Sequence, residues 1–205
     1  MNHTMQAPEL AAIEIHGLTR SSFIMKSALA GAAVYGAASV GPMVSKALAQ
    51  GGDVDILNYA LTLEYLESEF YKAVFDGLSG DNKALGKQLG EDENAHVDAL
   101  VTAVKGAGGK PVKKPTFAFP TLKGDAAILK VANTLEDTGV SAYNGAAPLI
   151  SSKEILGAAG SIVQVEARHA ALIRLARGVS PAPLAFDKAS EMEDVIKAIT
   201  PFIKS

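Results

Sequence analysis

The sequence contains two Glu-x-x-His motifs, within DENAHVDAL and VEARHAALI. Residues three positions apart lie on one face of an α-helix, so Glu93 and His96 point the same way, as do Glu166 and His169. One such motif is also typical of an exposed helical ion pair. The chain's other two histidines lie within the first 16 residues. Because carboxylate and imidazole together suit iron or manganese, the paired motifs indicate a metal site.

An internal repeat places two more glutamates before these motifs. ALTLEYLESEFY (60–71) and ANTLEDTGVSAY (132–143) share Ala, Thr, Leu, Glu and Tyr at the same offsets. The matched residues are Glu64 with Glu136 and Tyr71 with Tyr143. Each upstream glutamate precedes the glutamate of a Glu-x-x-His motif by 29 or 30 residues. Each half of the chain therefore carries the same set of side chains.

The motif residues lie on the apolar faces of their helices. Leu89 and Leu100 flank the first motif at helical spacing, and Ile162 and Ile173 flank the second. Four carboxylates and two imidazoles would converge inside a bundle, where each unpaired charge costs several kcal/mol. We therefore predict that two divalent metal ions balance them, iron or alternatively manganese. The predicted ligands are Glu64, Glu93, His96, Glu136, Glu166 and His169.

Four long helical patterns must position these residues, and no segment is typical of a β-strand. The predicted helices run from Asp53 to about Leu78, from Asp81 or Asn82 to about Lys105, from Asp125 to near Pro148, and from Ser151 to Gly178. Asp53 is the expected N-cap of the first helix. The start of the fourth helix has the spacing of a capping box.

The connections between these helices predict two antiparallel hairpins joined by a long crossover. Short turns lie within each hairpin, whereas GAGGKPVKKPTFAFPTLKG (106–124) lies between them. A helix of about 24 residues is ~36 Å long, and an extended linker at ~3.3 Å per residue can run its full length. We expect an all-α four-helix bundle, with pseudo-twofold symmetry between the hairpins. An up-down bundle with a loose loop is the alternative.

The C-terminal segment, 179–205, is predicted to pack on the bundle or on another subunit. It begins with a Pro-rich extended piece and ends in a short amphipathic helix from about Asp187 to Ile199. The expected contact residues are Phe186, Val195, Ile199 and Phe202.

The run LNYALTLEYLESEFY, followed by GEDENAHVDAL and PAPLAF, resembles the ferritin-like superfamily. The resemblance is to the branch that includes bacterial ferritin-like domain proteins and plant desiccation-related proteins, and it extends over nearly all of 53–205. It implies a ferritin-like bundle whose di-iron carboxylate site uses the six ligands named above. It implies much less about activity, because one fold hosts many functions.

Several residues near the motifs have more than one interpretation. Tyr71 and Tyr143 are predicted to hydrogen-bond ligand carboxylates or to carry an electron, and core aromatic residues are the alternative. Glu67, one turn after Glu64, is expected at the surface or beside a ligand, with a shifting ligand as the alternative. Gly139 occupies the matching place in the repeat.

Two glycines interrupt the third predicted helix. Gly139 and Gly145 each weaken it by ~1 kcal/mol relative to alanine. They either permit a close approach by a helix or small oxidant, or mark a kink. In the crossover, Lys113 and Lys114 are expected to be solvated.

The composition is that of one globular domain, with 48% apolar and 20% charged residues in 205. A net charge of −3 and a pI near 5.8 argue against a nucleic-acid partner. The chain has no cysteine, so neither disulfides nor thiolate ligands are available.

The N-terminal segment has the pattern of an export signal. Residues 19–50 combine a basic start, an apolar centre and an Ala-x-Ala sequence, which predicts a leader of about 49 residues cleaved before Gln50. Arg20 and the residues after it resemble a twin-arginine signal, although only one arginine is present. The predicted location is periplasmic or extracellular. An uncleaved membrane anchor is the alternative.

These observations predict an exported di-metal protein comprising a bundle at 50–178 and the tail. We expect it to react with O2 or peroxide, in protection against oxidative or desiccation stress, with an electron donor that the sequence does not identify. A homo-oligomer is also compatible. The alternative is a non-catalytic stress-associated or structural bundle with a structural or vestigial metal site.

Overall fold

The computed structural model describes residues 52–204, so the predictions for residues 1–49 lie outside the described residues. Five α-helices follow one another in this part of the chain, and no strand occurs within it. They are α1 (Asp53–Val74), α2 (Gly80–Gly106), α3 (Gly124–Ala146), α4 (Lys153–Ala176) and α5 (Met192–Ile199). The predicted all-α fold with four long helices is confirmed. Within 52–204, none of the helices is both long and apolar enough to cross a membrane.

Two clusters of buried apolar side chains form the core around the layer that holds the motif residues. One contains Leu66 and Phe70 of α1 together with Ile173 of α4. The other contains Leu61 of α1 and Leu100 of α2. Burying these side chains holds the four helices together around the polar layer, because each large apolar side chain contributes about 1.5–3 kcal/mol when fully buried.

The crossover between α2 and α3 follows the length of α1. Near the start of α1, Asn58 accepts a hydrogen bond from the backbone nitrogen of Val112 at 2.7 Å. Further along, Lys114 lies 2.5 Å from Glu69. Near the end of α1, the rings of Phe70 and Phe119 pack edge to face with centroids 5.4 Å apart. The long crossover is therefore present, and Lys114 forms an ion pair in addition to being solvated.

The helix ends differ from the sequence prediction at Asp53. Gly52 is the N-cap of α1, and Asp53 is already helical. Its carboxylate instead accepts hydrogen bonds from the backbone nitrogens of Ser151 and Ser152, at 2.7 and 2.8 Å. Ser152 caps α4 by accepting a hydrogen bond from the nitrogen of Ile155 at 3.2 Å. Asp53 thus joins the start of α1 to the turn between α3 and α4, which shows that α1 and α3 are antiparallel.

The tail packs on α3, although not through all the residues expected. Val195 and Ile199 are buried, but Phe186 is 81% exposed and does not pack on the bundle, so a contact with another subunit stays a prediction for this residue. α5 begins at Met192 rather than near Asp187. The backbone of the residues before it forms two hydrogen bonds with α3: the nitrogen of Ser190 donates to the Ser141 carbonyl at 2.9 Å, and the Lys188 carbonyl accepts from the Asn144 side chain at 3.1 Å. These bonds keep the segment out of the helix and leave Phe186 in solvent.

Gly145 permits this close approach of the tail to α3. A Cβ atom on Gly145 would lie 1.9 Å from the carbonyl oxygen of Ser190, which is far inside any van der Waals contact. The absence of a side chain is therefore required for the tail to dock. Of the two interpretations of this glycine, the structure supports close approach, with a backbone segment as the approaching group.

Candidate metal centre

Six side chains from the four long helices meet in the interior of the bundle. They are Glu64 from α1, Glu93 and His96 from α2, Glu136 from α3, and Glu166 and His169 from α4. All four carboxylates are fully buried, and the histidines are 8% and 2% exposed. The structure thus brings together every residue that the sequence predicted as a metal ligand.

The donor atoms of these residues form two overlapping groups. Within each group they lie within 4.8 Å of one another. The first group contains Glu64, Glu93, His96 and Glu166, and the second contains Glu93, Glu136, Glu166 and His169. The two Glu-x-x-His carboxylates belong to both groups and therefore lie between two candidate metal positions. One further glutamate and one histidine complete each position.

The donor atoms of this layer have too few hydrogen-bond partners. Oε2 of Glu166 has none among the described residues, and the other carboxylates share two ring nitrogens: Nδ1 of His96 lies 3.0–3.3 Å from three glutamates, and Nδ1 of His169 lies 2.8 and 3.4 Å from two. Buried polar groups are ordinarily hydrogen-bonded, and a buried charge without a partner is costly. Metal ions bind the same lone pairs. The residues therefore fit two divalent cations held by oxygen and imidazole.

The side chains hold protons when no cation is bound. Burial lowers the pKa of His96, but hydrogen bonds with Glu166 and two further glutamates raise it to about 12. Burial also lowers the pKa of His169, and Glu136 with a second carboxylate raises it to about 11. Burial raises the pKa of Glu93 to about 7, against the opposing effect of the two histidines. Metal ions compete with protons for these atoms, so metal binding would release protons.

The tyrosines of the repeat donate hydrogen bonds to the glutamates of the opposite half. The Tyr143 hydroxyl donates to Glu64 Oε1 at 2.5 Å, and the Tyr71 hydroxyl donates to Glu136. Burial, followed by the adjacent carboxylates, raises the pKa of both tyrosines well above the ordinary value. The pairing crosses between halves because α1 and α3 are antiparallel. Each tyrosine thereby fixes the orientation of one carboxylate.

A fifth carboxylate, that of Glu67, is buried beside the six residues. It is 3% exposed, so the surface position considered from the sequence is wrong. Its Oε2 atom has no hydrogen-bond partner within residues 52–204, and burial raises its pKa well above the usual range. A Cβ on Gly139 would lie 3.1 Å from Glu67 and 3.3 Å from Glu166. The one-turn spacing from Glu64 and the glycine at the matching repeat position were the sequence signals for this burial.

Asp92, which the sequence did not identify, contacts the outer nitrogen of His169. Its Oδ2 lies 3.2 Å from Nε2, while Nδ1 of the same ring lies 2.8 Å from Glu93 Oε1. Val165 occupies the matching repeat position, so the repeat contained no signal for this contact. Asp92 and Arg168, with both histidines, line a pocket of about 350 Å³ between α2 and α4. This pocket gives the site a polar opening to solvent.

The chain folds into two helical hairpins joined by a long crossover, and its four helices bury four glutamates and two histidines. These features define the class of ferritin-like carboxylate bundles. Comparison with known families agrees, because the model of the ferritin-like domain matches residues 52–179. The chain belongs to this family, and the resemblance noted in the sequence is confirmed.

Two solved structures share the fold. A ferritin-like, diiron-carboxylate protein from Bacillus anthracis aligns with a TM-score of 0.56 and 18% identity, over 67% of this chain and 99% of that one. A conserved hypothetical protein from Mycobacterium tuberculosis aligns with a TM-score of 0.58 and 16% identity, over 70% of this chain and 99% of that one. These identities establish the fold alone. No curated protein matches the sequence.

Proposed function

We propose that the chain is a di-iron protein that reduces dioxygen or peroxide at the buried carboxylate–histidine group. The observation that carries this proposal is the pair of overlapping donor groups, which share Glu93 and Glu166. A bundle without metal would gain more stability from apolar residues here, since each unpaired buried charge costs several kcal/mol. Cation binding therefore explains the cluster better than a contribution to folding stability does.

The protein's residues would hold the ions and limit what reaches them. When bound, a ferrous pair supplies two electrons, which with two protons reduce dioxygen to hydrogen peroxide, or hydrogen peroxide to two waters. Glu93 and Glu166 would bind both ions, while Tyr71 and Tyr143 keep the other two carboxylates in place. An external one-electron donor would then restore the ferrous state.

Iron is proposed in preference to manganese. The Bacillus anthracis structure is described as that of a diiron-carboxylate protein, and this chain offers the oxygen and imidazole donors that iron accepts. Manganese accepts the same donors. Metal analysis of the purified protein distinguishes the two.

The proposal is tested by loading the metal-free protein with Fe(II) under anaerobic conditions and then mixing it with O2 or H2O2. We expect about two Fe(II) per chain and rapid oxidation by at least one oxidant. Glu93→Gln should lose both ions, because both donor groups contain Glu93. Glu91→Gln, an exposed residue of α2, is the matched control and should retain them.

Two outcomes would contradict this function. Failure to bind any metal would refute the di-metal site itself. Tight binding of two ions with no consumption of either oxidant would instead support the structural alternative, in which metal serves stability alone.

Export and a role in stress protection are also part of the proposal. They are supported by the leader pattern at 19–50 and by the expected consumption of oxidants. N-terminal sequencing of protein recovered from the cell envelope should begin at Gln50. An intact N-terminus would contradict cleavage and favour the membrane anchor.

A further inference from the structure

An apolar cavity of about 50 Å³ lies among the four long helices on one side of the metal centre. Leu63 of α1, Leu100 of α2, Tyr143 of α3 and Ile162 of α4 are among the side chains that line it. Among the described residues, no charged side chain contributes to its wall. The cavity is therefore distinct from the polar opening beside the histidines.

The cavity lies on the side of the first candidate metal position. Leu100 lies one helical turn after His96, and Ile162 lies one turn before Glu166. One turn advances a helix by ~5.4 Å. Tyr143 also lines the cavity and donates its hydroxyl hydrogen to the glutamate that completes the first donor group. The inner wall of the cavity therefore lies about one helical turn from that group.

The wall of the cavity selects against polar occupants. A buried water takes about two to four polar partners, and empty apolar cavities stay dry and bind apolar molecules or xenon. Tyr59 and Tyr143 carry the hydroxyls of the lining side chains. The Tyr143 hydroxyl already donates its hydrogen to Glu64, so of the lining side chains Tyr59 alone has a hydroxyl hydrogen for a guest. Hydrogen peroxide would lose most of its hydrogen bonds on entry, whereas dioxygen has little hydrogen bonding to lose.

Small side chains form the wall of the cavity that faces solvent between α2 and α4. Ala99 of α2 and Ala158 of α4 line it and are exposed, and Ala103 and Ala159 line it and are half-buried. Methyl groups obstruct the entry of a diatomic molecule between α2 and α4 less than larger side chains would. Leucine at the half-buried positions would fill this part of the cavity.

We infer that this cavity binds dioxygen and passes it to the donor group of Glu64, His96 and Glu166, whereas peroxide and metal ions enter through the polar opening beside His169. The inference rests on the proposed function, and it adds a separate site for the apolar oxidant. The two routes predict that dioxygen and peroxide reactivity can be changed independently.

Xenon binding tests the cavity without any metal chemistry. Crystals of the metal-free protein under xenon pressure should show a xenon atom among Leu63, Leu100 and Ile162. Ala159→Leu and Ala103→Leu should each abolish it, and Ala84→Leu, an exposed α2 position away from the cavity, should not. Circular dichroism and iron content establish that each variant is folded and loaded.

Oxidation kinetics then test the use of the cavity. In the Fe(II)-loaded full chain, both filling variants should slow oxidation by O2 at least tenfold and leave oxidation by H2O2 within twofold of the unsubstituted protein. An empty cavity under xenon, or an unchanged O2 rate in both folded filling variants, would overturn the inference. Equal slowing with both oxidants would also overturn it, because a single shared route would then serve both. If xenon binds but the unsubstituted protein consumes neither oxidant, the proposed function fails, and dioxygen delivery fails with it.

Discussion

The metal-free protein should become less stable as the pH rises from 5 to 8. The pKa of Glu93 is raised from 4.5 to about 7 in the folded protein. The pKa values of His96 and His169 are raised from 6.5 to about 12 and about 11. Each raised pKa means that the folded state binds more protons than the unfolded state, so the free energy of unfolding falls with pH. Glu93 lowers the free energy of unfolding as the pH rises from 4.5 to 7, and the imidazoles lower it above pH 6.5.

The size of the effect follows from the Glu93 shift alone. A rise from 4.5 to about 7, at 1.36 kcal/mol per pKa unit, corresponds to roughly 3 kcal/mol of lost stability by pH 8. The histidines add to the loss of stability in the upper part of this pH range, because their pKa values are also raised in the folded protein. With a urea m-value of about 1–3 kcal/mol/M, the unfolding midpoint should fall by at least about 1 M.

The assay is urea unfolding of chelator-treated full-length protein at pH 5, 6, 7 and 8, followed by circular dichroism. Mn(II)-loaded protein is the comparison, because bound metal displaces the protons and should flatten or reverse the trend. Glu93→Gln should reduce the slope in the metal-free protein, whereas Glu91→Gln should not. A midpoint that stays constant or rises with pH in the metal-free protein would refute the electrostatic description of the site.

Three substitutions test individual contacts. Gly145→Ala should destabilise the protein by about 1–3 kcal/mol in urea unfolding, because its Cβ would meet the Ser190 carbonyl. The control, Gly157→Ala, has open space around it and should stabilise the protein by up to about 1 kcal/mol. Equal effects of the two substitutions would contradict the docked tail. Gly139→Ala should weaken metal binding about tenfold in calorimetric titration by displacing Glu67 and Glu166, and unchanged affinity would show that both carboxylates relax freely. Tyr71→Phe should lower metal affinity about 10–100-fold by releasing the carboxylate of Glu136. The control, Tyr65→Phe, lies outside the site and should leave metal affinity unchanged. Equal metal affinities of the two variants would mean that the Tyr71 hydrogen bond does not position the ligand.

Local spacing was sufficient to predict the helices and the six buried donors. Helical periodicity relates residues three or four positions apart, so Glu93 and His96 had to share a face wherever α2 packed. The repeat then extended the set to Glu64 and Glu136, because two similar hairpins related by a pseudo-twofold axis present equivalent faces. The length of the crossover likewise follows from residue counts alone.

Contacts between helices depended on the tertiary structure. The crossed pairing of Tyr71 with Glu136 requires α1 and α3 to be antiparallel at one particular register, and no spacing within a single helix encodes that register. Asp53 illustrates the same limit. Its sequence context is that of an N-cap, but the fold places it against the turn before α4, where it satisfies two backbone nitrogens.

The surroundings of the site were decided in the same way. Glu67 is buried because Gly139 on another helix leaves room for its carboxylate, and Phe186 is exposed because the tail backbone, rather than its side chain, docks on α3. The apolar cavity and the polar opening exist only where four helices leave gaps between them. The sequence by itself thus determined the six donors of the two motifs and the repeat, since helical periodicity is local. The packing of helices distant in sequence decided how those donors are oriented and reached.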